Sequence, residues 1–342
     1  MCILLLTTAH PKYALILLSN RDEYLNRKTS TAEFWHPKIL SPLDLARPAP
    51  HGTWLGITRH GRLAVVLNYR EDGENYVGKL SRGLLVREFL SDQKTTHDWA
   101  AQAITRMEEL SGDVGGFSLV CGELKPNGSG LEEFAIITNR SRSLGEGTAW
   151  IFGDDNDNEY TGDEDIRQSI MEKTYGISNS LYWQPWPKVH RGREMLSTII
   201  LNSLKQNSSA HLNEEEQQQA LIESLLDLLS VNSISESVLA SGDPDLLFKS
   251  LGESIFIPAF HTGRATATGT PADYSQPRED SGYKYMKGGY YGTRTQTVVL
   301  VSTSGEVTYV EKTLHNCDDN TAGNQEGTVV HRFQIEGWDA HP

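Results

Sequence analysis

The sequence predicts an α+β fold in which antiparallel sheets are covered by helices. Strand-like segments fill the first third, helical periodicity takes over in the middle, and strand patterns return at the end. At 342 residues, with 38% hydrophobic and 8% aromatic side chains, the chain is long and apolar enough to bury a substantial core. No internal repeat divides it, so residues 1–342 read as a single domain with a surface loop at about 258–292.

Ile3–Thr7 and Tyr13–Leu18 are apolar runs split by His10-Pro11-Lys12, which makes them a hairpin and leaves both too short to span a bilayer. Gly52–Thr58 and Leu63–Tyr69 flank Arg59-His60-Gly61-Arg62, where Gly61 supplies the turn geometry of a second hairpin. Helical spacing then runs over Leu80–Leu90 and over Thr96–Leu110, with Thr96 and Asp98 as capping residues. Strands follow at Gly116–Glu123, Glu133–Thr138 and Thr148–Phe152. The acidic run Gly153–Gln168 reads as a solvated loop. A calcium loop started at Asp155 would put Tyr160 and Ile166 where glycine and glutamate are needed.

Apolar residues at three- and four-residue steps make helices of Lys188–Gln206 and Glu214–Leu229, the first entered through Pro187. Trp183 and Trp186, just ahead of it, either belong to that helix start or line a pocket. Thr293–Thr303 and Glu306–Leu314 are strands around a tight Ser304-Gly305 turn, and Gly327–Ile335 is the last strand.

The formal net charge is −14 and the isoelectric point is near 5.2, which argues against nucleic acid and anionic membranes as partners. No basic segment precedes the first apolar run and no cleavage pattern follows it, so synthesis in the cytosol is expected. Cys2, Cys121 and Cys317 are too few and too widely spaced for a disulfide framework, and a reducing compartment fits them. The Gly-rich nucleotide loops, HExxH and GxSxG do not occur.

Chemistry concentrates at Leu17–Tyr24, "LLSNRDEY", where an apolar strand delivers Asn20, Arg21, Asp22 and Glu23 side by side. If Met1 is trimmed, Cys2 becomes the first residue. Its thiol (pKa about 8.5) then sits beside its own amine (about 8), so one residue offers nucleophile and general base together. Such a unit needs a carboxylate for the amine, donors for an oxyanion and cations that favour the thiolate. A blander reading remains open, in which Cys2 is a small buried strand residue and Asn20–Glu23 form a capped turn with a local ion pair.

The initial Met1-Cys2, "LLSNRDEY", "GTWLGIT", "AVVLNYRE", "YGISNS", "PWPKVHRGRE" and "YYGTRTQTVVLV", in this order, resemble the Transport and Golgi Organization protein 2 family, also called the NRDE family. That family is in turn similar to the cysteine N-terminal nucleophile hydrolases, such as penicillin V acylase and bile salt hydrolase. The resemblance implies an αββα four-layer sandwich and cleavage of non-peptide C–N bonds with no cofactor. It matches Cys2 to the nucleophile, Asp22 to the carboxylate holding its amine, Asn68 and Asn179 to the oxyanion asparagines, and Arg294 to a distal arginine. The acylases carry an arginine three residues before the aspartate, where this chain has Ser19. Because adjacent strand residues face opposite sides, Arg21, next to Asp22, is not expected to inherit that role.

Two functions follow as expectations. One is a hydrolase acting on an amide or thioester of an apolar acyl group, such as an N-acyl compound or an acyl-CoA. The other is a non-catalytic carrier of haem or lipid. The resemblance also implies a link to secretory organisation, so a cytoplasmic protein associated with Golgi, endoplasmic reticulum or mitochondria is expected.

Overall fold

The computed structural model describes residues 1–70, 80–109, 114–126, 131–140, 148–151, 163–207, 213–262, 289–315 and 327–338. In chain order the elements begin with β1 (Ile3–Thr7), β2 (Tyr13–Tyr24), β3 (Glu33–His36), β4 (Ile39–Ser41), β5 (Leu55–Thr58) and β6 (Arg62–Asn68). The helices α1 (Arg82–Ser91) and α2 (Thr96–Glu109) follow, then β7 (Phe117–Leu124), β8 (Leu131–Thr138) and β9 (Thr148–Ile151). Next come α3 (Asp163–Glu172), β10 (Thr174–Ile177), α4 (Pro187–Asn207), α5 (Glu214–Leu229), α6 (Glu236–Ser241) and α7 (Pro244–Ser250). The chain ends with β11 (Phe260–His261), β12 (Tyr290–Ser302), β13 (Glu306–Thr313) and β14 (Gly327–Gln334).

These elements make two antiparallel seven-stranded sheets. The first runs β10-β1-β2-β12-β13-β14, with β11 also pairing β12, and the second runs β3 to β9 in sequence order. Alternation along each strand divides its apolar residues between two layers. Leu4, Leu6, Leu15, Leu17, Val65, Leu67, Val299 and Tyr309 meet between the sheets. Ile3, Leu5, Ile16 and Leu18 face Leu196, Ile200, Leu225 and Leu229 of α4 and α5, while Ala64, Val66 and Leu119 face Phe89 of α1 and Trp99 of α2. The result is the expected αββα sandwich.

Several elements differ from the sequence reading, each for a local reason. Asn20–Glu23 form neither a turn nor a strand end exposed to solvent. β2 continues through them to Tyr24 because β12 pairs with it throughout, Tyr291 opposite Tyr24. The same pairing absorbs 290–292 of the expected surface loop into β12, and β11 takes residues 260 and 261; residues 263–288 lie outside the described part. Of the acidic run, 163–168 form the start of α3, whereas 153–162 lie outside the described residues, as does Cys317. The cap of α2 is Thr95, one residue earlier than expected, with its hydroxyl accepting from the Asp98 N–H at 3.1 Å. Gly61 does adopt the expected positive φ, 87°, between β5 and β6.

Candidate functional site

The register of the first sheet decides what surrounds Cys2. β1 pairs with β2, Ile3 opposite Asn20, and with β10, Leu4 opposite Ile177. Continued outward, this sets Arg21 beside Cys2 on one side and Asn179 on the other, with Met1 beside Asp22. Cys2 packs with the layer between the sheets, where its Sγ accepts from the Asp22 N–H at 3.4 Å.

A cavity of about 90 Å³ opens there, lined among others by Cys2, Ser19, Arg21, Asp22, Glu23 and Asn68. Arg21 therefore shares the cavity with the thiol and its charge acts on it. Ser19 and Arg21 are two residues apart and share a face, so the expected exclusion of Arg21 was a parity error: the position three residues before Asp22 and the one just before it point the same way. The Arg21 guanidinium stacks on Trp54, 4.1 Å from the ring centroid, and lies 3.5 Å from Glu23. Its Nη1 has no partner among the described residues.

Asp22 faces the opposite, helix-covered side. Its Oδ2 lies 2.6 Å from the Met1 ammonium and its Oδ1 accepts from the Thr293 hydroxyl at 2.7 Å. The Met1 amine also donates to the Tyr291 hydroxyl at 2.8 Å. Lys188, fully buried, donates from Nζ to the Met1 carbonyl at 2.5 Å. Burial lowers the amine's pKa, with the Asp22 charge opposing, and burial likewise lowers that of Lys188. The Cys2 thiol is pushed up, by burial first and then by Asp22, while the amine, the Asp22 N–H and Arg21 pull the other way. Cys121 is buried among apolar side chains, and burial alone raises its thiol far above the ordinary range.

The other expected residues divide. Asn179 is buried on the segment leaving β10 and donates to the Asn68 carbonyl at 2.5 Å, tying the two sheets together beside Cys2, but it does not line the cavity. Asn68 lines the cavity with an exposed side chain. Arg294 occupies a β-bulge between Thr293 and Thr295, where two residues of β12 oppose Arg21. It is buried, donates to the Arg27 carbonyl and does not line the cavity. Glu23 is pushed up by burial, but the guanidinium groups of Arg27 and Arg21 outweigh this and hold it below its ordinary value. Trp183 is largely exposed, and Trp186 packs over Gly252 and near Lys188; neither lines the cavity.

Asn20 is a structural clamp. Its amide donates to Leu229 O at 2.7 Å and Ile255 O at 2.9 Å, joining β2 to the end of α5 and to the chain after α7. Replacing Asn20 with alanine is expected to orphan both carbonyls and lower stability by about 2 kcal/mol in urea unfolding. An unchanged midpoint would show that the two bonds contribute nothing net.

Sequence reasoning missed Lys188, Tyr291 and Thr293. The signal for Lys188 was available: a lysine in the first turn of α4 opposes the helix dipole, so its position there asks for a partner. Tyr291 and Thr293 stand two apart in "YYGTR", and only the pairing of β12 with β2 reveals that both face Asp22.

The sequence matches the family described as Transport and Golgi organisation 2 over residues 1–316. An uncharacterized protein of Saccharomyces cerevisiae is 32% identical over 340 residues, covering 94% of each chain. The Transport and Golgi organization protein 2 homologs of Bos taurus and Homo sapiens are each 27% identical, covering 95% and 90% of this chain and 94% and 88% of their own. Among solved structures, a variant of conjugated bile acid hydrolase from Clostridium perfringens covers all of this chain and 95% of its own, at 8% identity and a TM-score of 0.38. The N-acylethanolamine-hydrolyzing acid amidase ortholog of Caenorhabditis elegans covers 69% of this chain and 88% of its own, at 12% identity and a TM-score of 0.36. With the family match running over residues 1–316, through β13, the chain belongs to the Transport and Golgi organisation 2 family.

Proposed function

We propose that the protein is a Cys2-dependent hydrolase of an amide or thioester, acting once Met1 has been removed. One observation carries the reading: Cys2 and Arg21, whose Nη1 has no partner among the described residues, line the same cavity, with the Asp22 carboxylate bound to the chain's amine beside them. A nucleophile, a cation that favours its thiolate and a carboxylate that positions an amine are the parts such chemistry requires. Trp54, Val65 and Leu67 give the cavity an apolar wall for an acyl group.

A second reading rests on its own observation. With Met1 present, Asp22 holds the Met1 amine, one residue upstream of where catalysis needs it, and the Cys2 nitrogen is locked in a peptide bond. In that form the protein is a non-catalytic carrier of an acyl ligand such as acyl-CoA or phospholipid. Among the described residues no helix is long and apolar enough to cross a membrane.

Intact mass of the purified protein, followed by incubation with an N-acyl compound or an acyl-CoA, separates the two. The hydrolase reading expects loss of Met1, released product and an acyl adduct mapping to Cys2. Retained Met1 with bound, unaltered ligand establishes the carrier.

A further inference from the structure

We propose that the cavity beside Cys2 is a subsite for an anionic oxygen group, a carboxylate or phosphate on the ligand, gripped by the N-terminus of α1 and the guanidinium of Arg21. The inference deepens the hydrolase reading, on which it rests for the position of the scissile carbonyl; binding of the anion itself does not require turnover.

The first support is the start of α1. Ser81, Arg82 and Gly83 line the cavity, and the first N–H groups of a helix carry the positive end of its dipole. Proteins ordinarily satisfy that end with a side-chain cap or an acidic first turn. Ser81 stands in the cap position without making a side-chain cap bond, and the first turn of this 10-residue helix contains no acidic residue. Gly83 lets the helix approach this closely, since a Cβ there would lie 2.8 Å from the Thr53 carbonyl oxygen.

The second support is independent. Arg21 is 7% exposed, lines the same cavity, and keeps Nη1 without a partner among the described residues. A buried guanidinium donor left unpaired is costly unless something binds it.

Charge points the same way. Arg21, Arg27, Arg47 and Arg82 line the cavity with Asp22, Glu23 and Asp44. Asp22 is neutralised from behind by the Met1 ammonium, and Asp44 takes two bonds from Arg27, at 3.2 and 2.7 Å. Among the described residues, two of the three lining carboxylates thus already have cationic partners, which lowers the negative charge an incoming anion meets. The cavity volume of about 90 Å³ leaves room for a carboxylate or phosphate group.

Alkylation of Cys2 by iodoacetate, compared with iodoacetamide, tests this on the full chain. Both reagents form the same S–C bond and expel iodide, and both consume the same thiolate, so their rate ratio cancels the thiol pKa and reports only the preference for an anion. Peptide mass spectrometry at mildly alkaline pH gives the ratio at Cys2, with free cysteine as reference. The expected ratio exceeds that of free cysteine by about tenfold or more, the scale of one charge-assisted contact. It should fall when inorganic phosphate or acetate is added, and hold in chloride of equal ionic strength. Protection by phosphate alone assigns a phosphoryl group, and by acetate alone a carboxylate. Arg21→Gln should remove the preference. Ser81→Asp should do so too while keeping the fold, because aspartate is a good cap and would fill the helix end itself; it decides the matter if Arg21→Gln does not fold. A ratio equal to that of free cysteine, or one untouched by Ser81→Asp, overturns the subsite. An anion preference without product release would retain the subsite and remove the hydrolase.

Discussion

Replacing Cys2 with alanine is expected to abolish release of product from an N-acyl or acyl-thioester substrate, and replacing Asn179 with alanine to slow it by about 10²–10³. The two residues lie on adjacent strand positions, Asn179 following β10 where that strand flanks the start of β1. Asn179 spends one amide hydrogen on the Asn68 carbonyl, and under the proposed hydrolase reading its second would be the donor to an oxyanion formed over Cys2. Cys121 cannot substitute for the missing thiol, since burial holds it protonated on the far side of the second sheet. The measurement is steady-state kinetics on protein shown by mass to lack Met1. An oxyanion donor should lower kcat with little change in KM. Loss of ligand binding in Asn179→Ala would instead make it a tie between the sheets, and full activity in Cys2→Ala would remove the enzyme.

The sequence disclosed the layers well and the site only in part. Alternation in Ile3–Thr7 and Tyr13–Leu18 assigns apolar residues to both faces, and a strand apolar on both faces must be covered on both, which is what a four-layer sandwich does. The length of β2 was not legible, because Asn20 to Glu23 are poor strand formers by themselves. Their extension is imposed by β12, some 270 residues away along the chain, whose bulge at Thr293 to Thr295 also sends Arg294 to the Arg27 carbonyl. A bulge changes the parity of every residue beyond it, so no reading of alternation alone could place Arg294. The misplacement of Arg21 was different in kind. The information was present in its two-residue spacing from Ser19, and it was the inference drawn from it that failed.

The positions that hold the chain's amine depended on the same long-range pairing. Asp22 stands out in "NRDE", but its partners Tyr291 and Thr293 come from β12 and Lys188 from α4, three segments whose meeting is a property of the sheet order. The helix N-terminus in the cavity was hidden for a simpler reason. The helical spacing runs from Leu80 and puts Ser81 inside the helix, and only the structure shows α1 starting at Arg82 with Ser81 in the cap position and no side-chain cap bond.

Glu311 should make the protein less stable as pH rises, and Glu311→Gln should remove that dependence. The residue lies on β13, almost fully buried between the sheets, where one carboxyl oxygen accepts from the Ala32 N–H at 2.9 Å and the other has no partner among the described residues. Burial pushes its pKa from 4.5 up to about 7, with the Ala32 N–H and Arg21 offsetting only part. The folded state therefore binds a proton that the unfolded chain releases. The resulting stabilisation is complete below about 4.5 and lost as pH climbs through about 7. The difference between the two states, about 2.5 pKa units, corresponds to about 3 kcal/mol. Glutamine keeps the acceptor for Ala32 and resembles the protonated carboxyl without its titration. Urea unfolding should show the variant and the parent equal near about pH 4, and the variant more stable by up to about 3 kcal/mol near about pH 8. A parallel fall of both proteins over that range would mean that Glu311 is ionised in the fold, with Arg21 close enough to hold its charge.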